Sequence, residues 1–278
     1  DSPLLAYALI VPFLIILYLL ELFVIFRHRK TQFKSSFFRI FSILAIVNIS
    51  ACSVGTFVFR LPLYPIVNGM FNEMSESNGW LVAAYSGAYY FNCLSEFMGV
   101  LQAYNRFTTM FFPLVHIQLW RWAVFLVILF CIALAPVWYL FDDDVMFVKV
   151  VNENCFTFQA SIFLNMFMVS GVCNALSTLF YGSCLVRMWL FTANRNHAAE
   201  RNLFVVGFLT MIFSLPFMAA MVRIEITSCV KTRGAEVDMD VATFVAFQLP
   251  WLTDLKYLAP APMLLFTNAA LRKSIRKI

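Results

Sequence analysis

LLAYALIVPFLIILYLLELFVIF, residues 4–26, runs directly into Arg27, His28, Arg29 and Lys30. A stretch this long and this apolar exceeds a soluble core helix and matches the roughly 20 residues that cross a bilayer. In hydrocarbon the backbone must satisfy its own hydrogen bonds, so the stretch predicts a spanning helix. The basic cluster follows the run and none leads it, which reads as a resident span and not as a cleaved leader. The whole chain continues in this manner. Of its 278 residues 62% are hydrophobic and 13% charged, against roughly 25% charged in a soluble domain. Mean hydropathy is +0.81. Such values exclude a water-soluble fold, which would need far more polar surface, and they exclude intrinsic disorder.

Hydropathy divides the chain into seven spans, at about 4–26, 37–59, 80–112, 120–141, 161–190, 202–225 and 243–268. They lack the alternation of outer-membrane strands. Residues 1–278 therefore read as one all-α membrane domain, a seven-transmembrane helix bundle. Lys and Arg set its orientation. The ends and loops that carry Arg27, Arg29, Lys30, Lys34, Arg39, Arg106, Arg121, Arg187, Arg195, Arg201, Arg272, Lys273, Arg276 and Lys277 hold 14 of the 20 basic residues. Glu200 is the one acid expected among them. Asp142, Asp143, Asp144, Glu153 and Glu236 fall on the opposite side. The basic side is cytoplasmic by this rule, with the N-terminus outside and the C-terminus inside. The net charge of +5 thus follows the membrane and does not point to nucleic acid.

Ionisable groups within spans are costly and mark candidate sites. Glu96 stands ten residues before Arg106, about 15 Å up a helix and so near the midplane. A lone carboxylate there is protonated or paired with a donor from another helix, either beneath a ligand pocket or as an interhelical tie. Span seven carries Asp254 and Lys256. Residues two apart do not share a helix face, so they do not simply neutralise each other. Asp254 shares a face with Trp251 and Tyr257, and Lys256 looks elsewhere or snorkels. Arg60, Arg223 and Lys256 together would make a cationic outer pocket, with snorkelling as the plainer reading of the two arginines. Tyr85, Tyr89 and Asn92 follow helical spacing in the outer half of span three and would line its top. Ser170, Asn174, Ser177 and Tyr181 form one stripe on span five, read first as interhelical packing and second as ligand contact.

Five of the seven cysteines fall inside spans and two, Cys155 and Cys229, in expected outer loops. The outer space is oxidising, so a Cys155–Cys229 disulfide is expected, with unpaired thiols as the alternative. The three histidines are isolated and expected in solvated cytoplasmic loops; no metal spacing appears.

Tyr104-Asn105-Arg106-Phe107, with Pro113 seven residues after the arginine, resembles the Asp-Arg-Tyr element of rhodopsin-like G-protein-coupled receptors. That resemblance implies that Arg106 holds the resting bundle shut and meets the G protein when the inner ends open. Glu200 is the expected partner of Arg106 and Pro216 the expected hinge of span six. Other elements depart from that pattern. Ser214 stands where an aromatic switch is usual, and Ala261-Pro262-Met263-Leu264-Leu265-Phe266 replaces Asn-Pro-x-x-Tyr. The chain is more similar to the nematode serpentine chemoreceptors of class gamma, with class V as a near relative. Ser35-Ser36-Phe37-Phe38-Arg39, Asn105-Arg106-Phe107 with Phe112-Pro113, and Asp254-Leu255 with Pro260 to Leu265 and Leu271-Arg272-Lys273 carry this likeness.

The likeness implies a chemosensory receptor of the plasma membrane, often on a sensory-neuron cilium. It implies a small secreted ligand, pheromone-like in some members, and a heterotrimeric G protein as partner. An anionic ligand would suit Lys256 and Arg223 in charge. Pairing with further chemoreceptors, as homo- or hetero-oligomers, stays open. No cofactor is implied. Two alternatives remain: a retinal-binding photoreceptor using Lys256 with Glu96 as counter-ion, and a small-solute transporter or channel. The cytoplasmic half of the spans reads as mostly apolar, against a continuous solute path. An enzyme is not expected, since no nucleophile–base pair, metalloprotease motif or phosphate loop occurs.

Overall fold

The first apolar run forms helix α1, Ser2–Arg27. Its exposed face carries Ile10, Phe13, Ile16, Leu19, Phe23 and Phe26, spaced by three or four and suited to lipid. Tyr18, Leu22 and Ile25 are buried on the other face. The structure, a computed structural model, describes residues 2–60, 79–120, 130–135, 148–149, 156–157, 160–191, 204–220 and 251–276. A hydrogen-bonded turn around His28 leads to α2, Ser36–Gly55. A π-helical turn, Thr56–Arg60, continues α2. Helix α3, Gly79–Phe111, is the longest among the described residues at 33 residues, about 50 Å at 1.5 Å per residue. It packs chiefly on α2 and on α5, Ala160–Phe191. Between them Pro113–Leu119 makes the short helix α4. Its proline occupies the first turn, where no backbone donor is needed.

Helix α6 is Phe204–Ala220. Residues 251–258 form α7, Pro260–Thr267 α8 and Ala269–Ile275 α9. Pro260 and Pro262 each lack a backbone donor, which breaks the helical ladder between α7 and α8. Val148–Lys149 and Phe156–Thr157 pair as a two-residue antiparallel ladder, Val148 opposite Thr157. Apart from that ladder and the connecting turns, the described residues are helical. Stretches Ile10–Arg27, Ser36–Val58 and Asn165–Leu190 are long and apolar enough to cross a membrane. Helix α3 carries more polar residues because both of its long sides face protein.

The first basic cluster and the C-terminal one meet at a single pole. Ser274 donates to Gln32 Oε1 at 3.2 Å, between α9 and the α1–α2 turn. Asn268 caps α9 by accepting from the Leu271 N–H at 3.0 Å, which satisfies a first-turn donor. Arg272 donates to the carbonyls of Leu265 and Phe266 at the end of α8, where helix carbonyls lack intrahelical partners.

Candidate functional site

Glu96 and Asn92 lie four residues apart on α3 and so on one face. Lys256 reaches them from α7. Its Nζ is 2.6 Å from Glu96 Oε1 and 3.2 Å from Asn92 Oδ1. Both charged side chains are buried, at 6% and 7% exposure. Ser170 of α5 also donates to Glu96 Oε1. The Tyr257 hydroxyl donates to Asn92 Oδ1 at 2.6 Å. The ammonium lies 4.7 Å from the centre of the Phe217 ring of α6 and 5.3 Å from that of Tyr257, within the range of cation–π attraction. One ion pair thus gathers α3, α5, α6 and α7. Taking the two charges out of water costs several kcal/mol each, which their contact offsets only with further hydrogen bonds. Asn92 and Ser170 supply those bonds.

The sequence left Glu96 either protonated or paired with a donor from another helix, and set it opposite Lys256 only as the counter-ion of the retinal reading. The structure pairs them. Asp254 does face away from that pair: it is buried, and its Oδ1 accepts from the Cys52 thiol at 3.5 Å. Tyr89 is half-buried against the cluster of Cys93, Met166 and Phe217. The span-five stripe faces protein, as expected. Asn174 Oδ1 accepts from Ser214 at 2.5 Å, and Tyr181 is buried against Phe204.

A second polar centre adjoins the first. Asn48 donates to the Tyr257 carbonyl at 3.0 Å and to the Tyr18 hydroxyl at 3.4 Å, and it accepts from Ser95 at 2.7 Å. Tyr18 donates to the same carbonyl at 2.9 Å. That carbonyl lies just before the Pro260 break, where α1 and α2 supply donors. The sequence placed Asn48 in a span and did not anticipate this role.

At the basic pole the Arg106 guanidinium lies 4.2 Å from the centre of the Phe37 ring and is buried. Asn105 donates to Ser36 at 2.8 Å. His116 is no solvated loop residue. It is half-buried, with Nε2 3.1 Å from Ser36 Oγ and Nδ1 2.9 Å from Thr108 Oγ1. Pro216 is exposed within α6. Arg223, Glu200, Cys155 and Cys229 lie outside the described residues, as do the side chains of Arg60 and Tyr85.

Glu21 escaped the sequence reading altogether. It is fully buried on α1, and neither carboxylate oxygen has a hydrogen-bond partner among the described residues. Its signal was present: it is the one charged residue between positions 2 and 26.

A bundle of apolar helices closed over buried polar centres defines a helical membrane protein, here with Arg106 buried beside a basic pole. The chain matches the family model described as "Srg family chemoreceptor" over residues 5–275. It belongs to that family of chemoreceptors, and the resemblance read from its motifs is borne out. It is also 29% identical, over 184 residues, to serpentine receptor class V-1 of Caenorhabditis elegans. That match covers 61% of this chain and 58% of the relative's length. Membership in a chemoreceptor family implies a receptor.

Proposed function

We propose that this chain is a G-protein-coupled chemosensory receptor that binds a small secreted molecule in the outer half of a seven-span bundle. The N-terminus is outside and the C-terminus meets the cytoplasm, in the plasma membrane of a sensory neuron, on its cilium. The observation that carries the reading is the Lys256–Glu96 pair, which ties α3, α5 and α7 at the middle of the bundle. Such a contact differs between two arrangements of the helices, so a ligand that favours one arrangement shifts the population. Asn92 and Tyr89 stand near it, Asp254 lies two residues before Lys256 on the other side of α7, and Arg223 completes the outer site. A ligand carboxylate competes with Glu96 for the ammonium; a neutral ligand leaves the pair closed. Inner ends of α5 and α6 then part, hinged near Pro216, and Arg106 leaves Glu200 to meet a heterotrimeric G protein. A Cys155–Cys229 disulfide fixes the outer loops.

The test is a screen of anionic and neutral secreted metabolites in cells that express the chain with a G-protein readout. A ligand whose potency falls in Lys256→Ala, and which still binds but does not signal in Arg106→Ala, supports the reading. A ligand that signals equally through the parent chain and both variants, at equal surface expression, overturns the assignment of these residues.

A further inference from the structure

Next to the ion pair lies a cavity of about 50 Å³. Glu96 and Lys256 line it, but so do residues of the half of the bundle that the sequence presents as apolar, among them Gln102, Tyr181 and Thr210. The chemistry of its wall follows from where the protons go. Ser95 gives its hydroxyl proton to Asn48 Oδ1, Thr210 to the Val206 carbonyl at 2.8 Å, and Ser214 to Asn174 Oδ1 or the Met211 carbonyl. Each hydroxyl keeps lone pairs that accept and has no proton left to give. The wall is therefore rich in acceptors.

Donors on the wall include the Lys256 ammonium and the Gln102 amide. The Gln102 side chain is 2% exposed, and its Nε2 has no hydrogen-bond partner among the described residues. A buried amide donor left in that state costs about 1–3 kcal/mol. The occupant that suits this wall accepts from Gln102 and donates to several hydroxyl oxygens. Water does both. One water needs about 10–15 Å³ of such space and two to four polar partners, so the cavity has room for roughly three to five.

We propose that this cavity binds a cluster of ordered water molecules, held by Gln102, that joins α3 to the hydroxyls of α6. The cluster continues the polar contacts of the Lys256–Glu96 pair towards Tyr181 and the inner half of the bundle. α6 is thereby linked to the ion pair by hydrogen bonds that re-form easily when the helix moves, where a dry apolar contact would have to be repacked.

The proposal stands apart from any ligand or G protein, and its test uses neither. X-ray irradiation turns bound water into hydroxyl radicals that oxidise adjacent side chains. Met211 lines the cavity. Met98 is fully buried in the apolar cluster with Leu94 and Leu101. The full chain in lipid nanodiscs is irradiated, and oxidation is followed by mass spectrometry. Met211 is expected to oxidise faster than Met98, with that excess lost in Gln102→Leu. Should Gln102→Leu fail to fold, Thr210→Val removes an acceptor of the wall and is expected to reduce the excess. Met211 reacting no faster than Met98, or an excess untouched in the folded variant, overturns the proposal.

Discussion

The Lys256–Glu96 contact shows what a charge does in a bundle with no water to fall back on. Both residues announce themselves in the sequence, because ionisable groups are rare in apolar spans. Their pairing shows only in outline, as the lysine and counter-ion of the retinal reading, since they are 160 positions apart and nothing local orients one towards the other. The same holds for Asn48, whose acceptor, the Tyr257 carbonyl, lies 209 positions away. A buried pair is worth more as a constraint on geometry than as net stability, and the sign of the effect is open to measurement. Lys256→Met strands Glu96 without its cation and is expected to destabilise by about 3–5 kcal/mol. Adding Glu96→Gln removes the stranded charge and keeps an acceptor for Ser170, so the double variant should recover most of the loss. Thermal unfolding of the three variants in detergent reads this directly. A double variant no more stable than Lys256→Met would mean that the pair is not a closed unit.

At the scale of helices, the sequence marked the ends of the four long helices but not their neighbours. The expected spans 4–26, 37–59, 80–112 and 161–190 end within two residues of the helices Ser2–Arg27, Ser36–Arg60 with its π turn, Gly79–Phe111 and Ala160–Phe191. Hydropathy marks ends sharply because leaving the hydrocarbon changes the cost of every polar group at once. It says little of which helix meets which, since lipid and a neighbouring helix are equally apolar. Gly207 illustrates the gap. A Cβ at this position of α6 would collide with the Tyr181 hydroxyl and lie 2.7 Å from its Cζ. The glycine therefore admits the Tyr181 ring of α5 against the α6 backbone. Gly207→Ala is expected to cost about 1–3 kcal/mol by overpacking. Combined with Tyr181→Leu it should cost less than the sum of the two single changes, because the shorter side chain vacates the space. Additive losses in unfolding midpoints would show that α5 and α6 do not meet there.

Over the whole molecule, the charge count and the fold arrive at one pole by separate routes. The count puts Arg27, Arg29, Lys30, Arg272 and Lys273 in the cytoplasm from sequence alone. The fold puts the α1–α2 turn beside α9 through the Ser274–Gln32 hydrogen bond, with no reference to charge. Two segments 242 positions apart in direct contact must lie on the same side of the membrane. This consequence survives even if the orientation rule fails, so one experiment separates the two claims. Cysteines are introduced at Thr31 and at Lys273, both exposed, and cells are treated with a membrane-impermeant maleimide, the parent chain giving the background. Both positions are expected to label only after the membrane is permeabilised. Labelling of both in intact cells would invert the orientation and leave the fold standing. Labelling of one and not the other would break the contact itself, because no single bundle could then hold α9 against the first turn.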